Sequence, residues 1–347
     1  GALGLALYGC GRNNKTSGQN RYYSGPVTDH FDGTYFYNSK DQVTAPMSDL
    51  LKWKLFGNRA KWPKHFVSPY PAAVPEASLP SNRLKVTMIG HASLLIQMHG
   101  LNILTDPVYS ERVSPLQYIG PWRHNPPGVA FEALPKIDIV LVTHNHYDHL
   151  DVETLRQLSA RQAKPPLVLS GLGVGELFAK IGISNYVDMQ WGQSERLQGL
   201  KFAFVECRHR SGRGLTDQMK TLWGSFVIKS AAGNIYFAGD TGYGPHLKEH
   251  GQAYGPFALS ILPIGAYEPR EFMKSSHINP EEAVAVFKDL GAKYAIAIHW
   301  GTFKLTLEKM DEPPRRLERA IENAEVSKTQ FRVLQHGEFW PEVFADS

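Results

Sequence analysis

The sequence is poor in cysteine, in long apolar runs and in excess charge of one sign. Its two cysteines, Cys10 and Cys207, lie too far apart for a disulfide framework and are too few for a cysteine-based zinc cage. Beyond residue 10, no stretch is long and apolar enough to cross a bilayer, so any membrane contact should be peripheral. A net charge of +4 predicts no nucleic-acid partner.

Residues 1–10 form a short apolar segment that ends at Cys10. Such a segment is typical of the end of a bacterial signal peptide that runs into a lipobox, where the cysteine is lipidated. We therefore expect a protein of the bacterial cell envelope, anchored on the periplasmic side through Cys10. The alternative is a frayed apolar terminus, in which case we expect a cytoplasmic protein.

The rest of the chain divides by composition. Residues 11–80 are rich in Gly, Asn, Ser and Pro with scattered aromatics, which predicts an arm wrapped on a core. Residues 81–347 alternate short apolar runs with helical patterns, as expected of an α/β domain. Strands are predicted at 84–89, 93–98, 101–105, 137–143, 200–205, 222–228, 235–238, 259–263 and 294–298. Helices are predicted at 152–160 after Asp151, at 280–290 between Asn279 and Gly291, and around 317–324.

A dense group of metal-binding residue types follows the predicted strand 137–143: His144, His146, Asp148 and His149. In an extended segment, side chains two apart point to the same side, so His144 and His146 can hold one ion. The turn that follows can direct Asp148 and His149 toward a neighbouring position. Imidazole and carboxylate ligands suit zinc, with manganese or iron as alternatives. A polar capping turn is the competing interpretation.

This run resembles the His-x-His-x-Asp-His motif of the metallo-β-lactamase superfamily. The resemblance implies a four-layer αββα sandwich and three later ligands, for which His209, Asp240 and His299 follow predicted strands in the right order. It further implies that one ion is held by His144, His146 and His209, the other by Asp148, His149 and His299, and that Asp240 bridges them. Asp148 and Asp240 are predicted to be catalytic as well as metal-binding.

The charge of such a centre indicates its substrate. Two divalent ions bring four positive charges, and two carboxylates with a bridging hydroxide remove three, so the site should favour an anionic group such as a phosphodiester. True β-lactamases usually carry a cysteine ligand in the second site. The His and Asp ligands predicted here are those of phosphodiesterases and lactonases.

Longer sequence segments narrow the resemblance from the superfamily to one family within it. Residues 262–270, 280–284, 297–303 and 312–314 resemble the N-acyl-phosphatidylethanolamine-hydrolysing phospholipase D family, over a stretch from Val86 to Gly337. This implies a zinc phosphodiesterase that releases phosphatidic acid and an N-acylethanolamine from a phospholipid at a membrane surface. Tyr147 and His277 are then expected to touch the head group; packing over the metal turn and a polar position before a helix are their alternatives. The arm at 11–80 looks more like bacterial relatives than the animal enzyme.

Alternative interpretations of the function and of several residues remain open. The same fold could serve as a lactonase or phosphorylated-sugar hydrolase, or the chain could be a non-catalytic envelope lipoprotein with a vestigial site. A homodimer is also left open. Asp106 is either an acceptor that orients a ligand histidine or a turn residue, and His91 either approaches the site or makes a structural hydrogen bond. The basic residues Arg208, Arg210, Arg213 and Lys220 form either a solvated loop or a site for phosphate or an anionic lipid surface.

Overall fold

The computed structural model of the protein describes residues 20–38, 60–116, 118–231 and 233–343. The predicted lipobox segment 1–10, with Cys10, lies outside these residues. Within them, no helix combines the length and the apolarity that crossing a bilayer requires.

Two seven-stranded sheets form the centre of the protein. In the first, the strand order is β14-β1-β2-β3-β4-β5-β6; in the second it is β13-β12-β11-β10-β9-β8-β7. The first sheet contains β1 (Arg83–Gly90), β2 (Ser93–Met98), β3 (Leu101–Thr105), β4 (Ile139–Leu141), β5 (Leu167–Gly171), β6 (Tyr186–Met189) and β14 (Phe339–Val343). The second contains β7 (Ser194–Leu197), β8 (Leu200–Val205), β9 (Ser225–Lys229), β10 (Asn234–Phe237), β11 (Phe257–Pro263), β12 (Ala292–Ile298) and β13 (Phe331–Arg332).

Helices connect the strands and cover the sheets. They are α1 (Val152–Ala160), α2 (Gly175–Lys180), α3 (Pro245–Tyr254), α4 (Arg270–Met273), α5 (Pro280–Asp289) and α6 (Glu312–Asn323), with a 3-10 turn at Phe131–Ala133. As predicted, the Asp151 side chain accepts a hydrogen bond from the Glu153 backbone at the start of α1. Asn279 and Glu282 form the capping box of α5, and Gly291 follows that helix at a φ of +61°.

The apolar side chains form layers that match this arrangement. One cluster joins the inner faces of the two sheets, with Ile96 of the first packed in the same core as Phe226 of the second. A second cluster packs the other face of the second sheet under α5 and α6, and a third packs the first sheet under α1 and α2. The predicted αββα sandwich is therefore confirmed.

Parallel pairing explains where the chain brings its loops together. Strands β3 to β6 pair in parallel, as do β10 to β13. Of these strands, β3, β4, β5, β10 and β11 are buried almost throughout, as expected of strands with both faces covered. Because parallel strands end at the same edge of a sheet, the loops that follow them meet there.

Two predicted strands were too long. The predicted strand 137–143 is paired only over Ile139–Leu141, because the Thr143 backbone N–H donates to the Asp106 carboxylate (2.8 Å) instead of a neighbouring strand. The predicted strand 222–228 begins at Ser225, where pairing with β10 and β8 sets in. Strands β5, β6, β7, β13 and β14 were not predicted, since their short sequences carry little alternation.

The described parts of the predicted arm lie against the core. Phe31 and Phe36 are each 1% exposed and belong to the cluster between the sheets. Further along, the Trp62 indole donates to the Glu308 carbonyl at 3.0 Å.

Candidate metal centre

The predicted ligands converge at one edge of the sandwich. His144 to His149 occupy the loop between β4 and α1 in the first sheet. His209, Asp240 and His299 follow β8, β10 and β12 in the second sheet. Each therefore stands where a strand ends, and residues from both halves of the sequence face one another there.

The first group of side chains consists of His144, His146 and His209. His144 Nε2 lies 2.8 Å from His146 Nδ1, and His209 Nε2 lies 3.2 Å from the same atom. Four ligands at zinc-nitrogen distances of about 2.0–2.1 Å around a tetrahedral ion stand roughly 3.3 Å apart. The spacing of these nitrogens is therefore that of atoms that share an ion.

The second group consists of Asp148, His149 and His299. Asp148 Oδ2 lies 3.4 Å from His149 Nε2 and 3.3 Å from His299 Nε2. His299 adopts a φ of +63°, a conformation that is rare for a residue with a Cβ and that places its ring beside the other two. This group therefore offers one carboxylate oxygen and two imidazole nitrogens.

Asp240 lies between the two groups. Its Oδ2 is 3.1 Å from His149 Nε2 and 3.7 Å from His209 Nε2, and its Oδ1 is 3.2 Å from His299 Nε2. The same carboxylate therefore contacts members of both groups. The structure therefore brings all the predicted ligands together at one place, and their arrangement is compatible with the two groups and the shared carboxylate that the family resemblance implies.

The hydrogen bonds around the centre show which ring nitrogens carry protons. The Thr143 hydroxyl donates its proton to Asp106 (2.7 Å), so it accepts from His144 Nδ1 (3.0 Å). His209 Nδ1 donates to the Ser276 carbonyl (2.9 Å), and each Nε2 therefore presents a lone pair to the centre. His146 Nδ1 could carry one proton at most. At least one of its two close contacts therefore sets lone pair against lone pair unless a cation lies between them.

Several buried polar atoms at the centre also lack a hydrogen-bond partner: His149 Nε2, Asp240 Oδ1 and both ring nitrogens of His299. Leaving buried polar atoms unsatisfied costs about 1–3 kcal/mol each, and a metal ion would satisfy them. The donor set of imidazoles and carboxylates is also one that divalent transition metals prefer. The residues present therefore fit a metal centre.

Burial keeps much of the first group neutral. Burial, together with the neighbouring His149 and His146, holds the pKa of His144 well below its usual value, and burial does the same for His209. In the second group, burial is outweighed by nearby carboxylates, so the pKa of His149 is raised well above its usual value. Neutral imidazole is the form that binds metal, so an ion in the second group would take the place of the proton that the carboxylates favour on His149.

Asp106 supports the second group through the ring nitrogen of His149 that faces away from the centre. Its Oδ2 accepts hydrogen bonds from His149 Nδ1 (2.7 Å) and from the Thr143 hydroxyl (2.7 Å), and the residue is fully buried. The bond fixes the tautomer of His149, because Nδ1 then carries the proton and Nε2 faces Asp148 and Asp240. Of the two alternatives for Asp106, the structure favours the acceptor that orients a histidine.

His91 approaches the centre as well as making structural hydrogen bonds. Its Nε2 lies 3.0 Å from Asp148 Oδ2, and its ring centroid is 4.0 Å from that of His299. Its carbonyl accepts a hydrogen bond from the His299 backbone N–H at 2.9 Å. Sequence reasoning left its role open, and only its place at the turn between β1 and β2 pointed toward the site.

The two predicted substrate residues lie beside the ligands. His277 is 7% exposed, and its Nδ1 lies 3.8 Å from Asp240 Oδ2. Tyr147 is half-buried and packs against the small apolar cluster of Val108, Val113 and Phe303. Both positions border the centre.

The basic residues near His209 are not simply a solvated loop. Arg213 donates to backbone carbonyls of the loop 144–150, and Arg208 donates to the Tyr243 carbonyl at 3.2 Å. Lys220 lies 5.8 Å from the ring of Tyr35. Cys207, next to Arg208, is buried and forms no disulfide. Sequence reasoning missed the contacts of Arg213, because nothing in its neighbourhood indicates which loop it would reach.

Comparison with known proteins agrees with this geometry. Residues 101–300 match the family described as the Beta-lactamase superfamily domain. The chain belongs to the metallo-β-lactamase superfamily. It is a metal-dependent hydrolase, and its relatives include enzymes named as phospholipases D. An N-acyl-phosphatidylethanolamine-hydrolyzing phospholipase D of Caenorhabditis elegans is 37% identical over 268 residues, covering 74% of this chain and 75% of the relative.

Two further relatives span a similar region of this hydrolase. An uncharacterized protein of Mycobacterium tuberculosis is 38% identical over 284 residues, which cover 80% of this chain and 74% of that protein. The mitochondrial N-acyl-phosphatidylethanolamine-hydrolyzing phospholipase D of Saccharomyces cerevisiae is 35% identical over 68% of this chain and 51% of its own length. The family resemblance read from the sequence is confirmed by these matches.

Solved structures support the fold. An isothiocyanate hydrolase from Delia radicum gut bacteria superimposes with a TM-score of 0.59 at 22% identity, covering 74% of this chain and 98% of that one. At such low identity the likeness shows the shared sandwich, and substrate has to be argued from the site.

Proposed function

We propose that this hydrolase is a two-zinc phosphodiesterase that cleaves phospholipids of the N-acyl-phosphatidylethanolamine type to phosphatidic acid and an N-acylethanolamine. The observation that carries the proposal is the pair of ligand groups joined by Asp240. The family relationship to enzymes named for this substrate supports it.

In this proposal the first ion is held by His144, His146 and His209, and the second by Asp148, His149 and His299, with Asp240 shared. When bound, such ions lower the pKa of a coordinated water and polarise the phosphoryl oxygens. The protein's own residues fix where this happens: Asp106 and Thr143 hold the tautomers of His149 and His144. Manganese and iron remain alternatives to zinc, because the same ligands bind them.

The charge of the centre favours a phosphodiester. Two divalent ions bring four positive charges, and the carboxylates of Asp148 and Asp240 remove two of them. A centre that held both ions would therefore carry a net positive charge, which favours binding of an anionic group such as a phosphodiester.

We propose that Tyr147 and His277 contact the phospholipid head group. His277 lies beside Asp240 and is neutral, since burial holds its pKa well below the usual value, so its ring can donate one hydrogen bond and accept another. Tyr147 stands in the same loop as the ligands His146 and Asp148. In this proposal both residues orient the substrate, although the spacing of His277 to His209 and Asp240 would also allow it to share an ion.

We also propose peripheral membrane association through a lipidated Cys10, as the substrate class requires a membrane surface. Mass spectrometry of the protein extracted from its native membranes tests this. A mass increase on a peptide that begins at Cys10 is expected, and an unmodified Cys10 contradicts it.

The substrate proposal is tested with zinc-loaded protein and a panel of N-acyl phospholipids, simple phosphodiesters and lactones. We expect hydrolysis of the N-acyl phospholipids with release of phosphatidic acid, and slower hydrolysis of simple diesters. Turnover of lactones alone overturns the lipid assignment. Elemental analysis of the purified protein is the companion measurement, and the lack of any bound transition metal contradicts the two-ion centre.

A further inference from the structure

Arg213 bridges two segments that carry predicted metal ligands. Its Nη1 donates to the Asn145 carbonyl (3.0 Å) and to the Leu150 carbonyl (2.8 Å). These carbonyls stand at the two ends of the stretch that contains His146, Asp148 and His149. A single guanidinium nitrogen therefore holds both ends of that loop.

The same side chain stacks on the loop's aromatic residue. The guanidinium carbon lies 3.8 Å from the ring centroid of Tyr147, a cation-π contact at close range. A planar guanidinium can stack on the ring and donate to the backbone at once. A lysine ammonium, which is a compact point charge, can only reproduce part of this.

Arg213 is itself firmly anchored to the segment that carries His209. Its backbone N–H donates to the Asp217 carboxylate (3.0 Å), and the Gly214 N–H donates to the same group (2.7 Å). One residue earlier, the Gly212 N–H donates to the Asn145 side chain at 2.7 Å. The segment 209–217 and the loop 144–150 are thus joined by side-chain and backbone contacts.

We propose that Arg213 is a positioning residue for the metal centre: it holds the loop 144–150 against the segment that carries His209, and it fixes the ring of Tyr147 at the border of the site. The inference rests on the proposed two-ion centre. His144 and His146 come from one of the joined segments and His209 from the other, so the join sets the spacing of the nitrogens in the first group.

This role differs from that of a cation that binds the substrate phosphate. A substrate-binding arginine acts on the affinity for anionic substrates and leaves the metal ligands in place. A positioning arginine acts on the metal ligands, and its effect is present before any substrate is added. Metal affinity therefore separates the two roles.

The test measures zinc affinity and stoichiometry by chelator competition, and kcat and KM for a simple phosphodiester, on the full chain with R213M and R213K. For R213M we expect zinc affinity to fall about 10- to 100-fold, as is usual when a residue supporting a metal ligand is lost. We also expect a lower kcat with KM nearly unchanged. R213K should lie between R213M and the unaltered protein, since its ammonium can still reach a loop carbonyl but cannot stack on Tyr147 as a plane.

Arg161 offers a matched control. It too donates to backbone carbonyls, those of Phe131 (2.6 Å) and Leu134 (2.9 Å), and it lies over an aromatic ring, that of Phe131, at 5.2 Å. It stands just after the end of α1 that is remote from the loop 144–150. R161M should lower thermal stability without changing zinc affinity.

Three outcomes overturn the inference. R213M with unaltered zinc affinity and a raised, salt-dependent KM makes Arg213 a substrate-binding cation. R161M with the same loss of zinc affinity makes the effect one of general destabilisation. Should R213M fail to fold, R213K decides, and unaltered zinc affinity in that variant contradicts positioning. The unaltered protein's own failure to bind two ions would instead overturn the proposed function.

Discussion

The two ligand groups differ in how the protein supports them. The first, His144, His146 and His209, consists of imidazoles alone, and the outer nitrogens of His144 and His209 donate to a hydroxyl and a carbonyl, both neutral acceptors. The second group contains Asp148, and the outer nitrogen of His149 donates to the buried carboxylate of Asp106. A carboxylate acceptor makes an imidazole a stronger ligand than a neutral acceptor does.

The difference suggests that the two ions of the proposed centre have different roles, one in stable metal binding and the other in substrate polarisation. More negative charge surrounds the second group, so we expect its ion to be held more tightly. The first group leaves more of its ion's charge uncompensated, which favours polarisation of a substrate oxygen. Experiments that remove the shared carboxylate, or the support of one group only, can break or sharpen this comparison.

The largest effect is expected from Asp240→Asn, because Asp240 contacts both groups. The variant loses a ligand charge between two cations, so zinc content should fall from two ions to one or fewer per chain. Hydrolysis should drop by more than the roughly 100-fold that loss of a supporting residue costs. Elemental analysis and initial rates measure both, and a variant that keeps two ions at native affinity refutes the bridging role.

A smaller and unequal effect is expected from Asp106→Asn. The amide oxygen can still accept from the Thr143 backbone, whereas the amide nitrogen cannot accept from His149. Affinity for the ion of the second group should fall about 10- to 100-fold. That for the other ion should fall less, because Asp106 reaches His144 only through the Thr143 hydroxyl. Titration with substoichiometric zinc resolves the two affinities.

Asp188→Asn is the matched control for that experiment. Asp188 is a half-buried carboxylate that accepts from the Gly173 and Gly175 backbone N–H groups (2.8 Å each), where the chain passes from β5 into α2. Its variant should lose stability and keep both zinc affinities. If Asp106→Asn weakens both ions equally, the asymmetry between the groups is wrong.

The smallest effect concerns acid sensitivity outside the two groups. Burial, with His250 and Arg208 nearby, lowers the pKa of His246 to about 3, whereas in the unfolded chain it is about 6.5. Below pH 6.5 the unfolded chain therefore binds a proton that the folded state excludes. His246 should cost about 1.4 kcal/mol of unfolding free energy per pH unit as the pH falls from about 6.5 toward 3.

His246→Gln tests this contribution by urea unfolding at pH 7 and pH 5.5. The variant should lose stability less steeply on acidification than the unaltered protein, even if it is the less stable of the two at pH 7. Parallel curves would assign the acid sensitivity to other groups, among them His250 and His336, whose pKa values burial lowers to about 4.

The candidate ligands His144 to His149 could be predicted from the sequence because their chemistry is local and they stand within one turn. The later candidates, His209, Asp240 and His299, were implied by the resemblance to the superfamily, and each follows a recognisable apolar strand. Strands β5, β6, β7, β13 and β14 escaped prediction, since short strands take their stability from neighbours that are distant in sequence. The contacts that support the ligands could not be predicted for the same reason. The hydrogen bonds of Asp106 with His149 and of Arg213 with the Leu150 carbonyl depend on packing between elements that are distant in sequence.

The placement of the ligands on both sheets has a consequence for the order of folding. His144 to His149 belong to one sheet, and His209, Asp240 and His299 belong to the other, so neither half of the chain can assemble the centre alone. During synthesis, high-affinity capture of metal must wait until His299 has emerged and both sheets have docked. Ions bound at this centre would then stabilise the folded state only after both sheets have formed. Local unfolding of either sheet would release them, so the unfolding of the two sheets would be coupled.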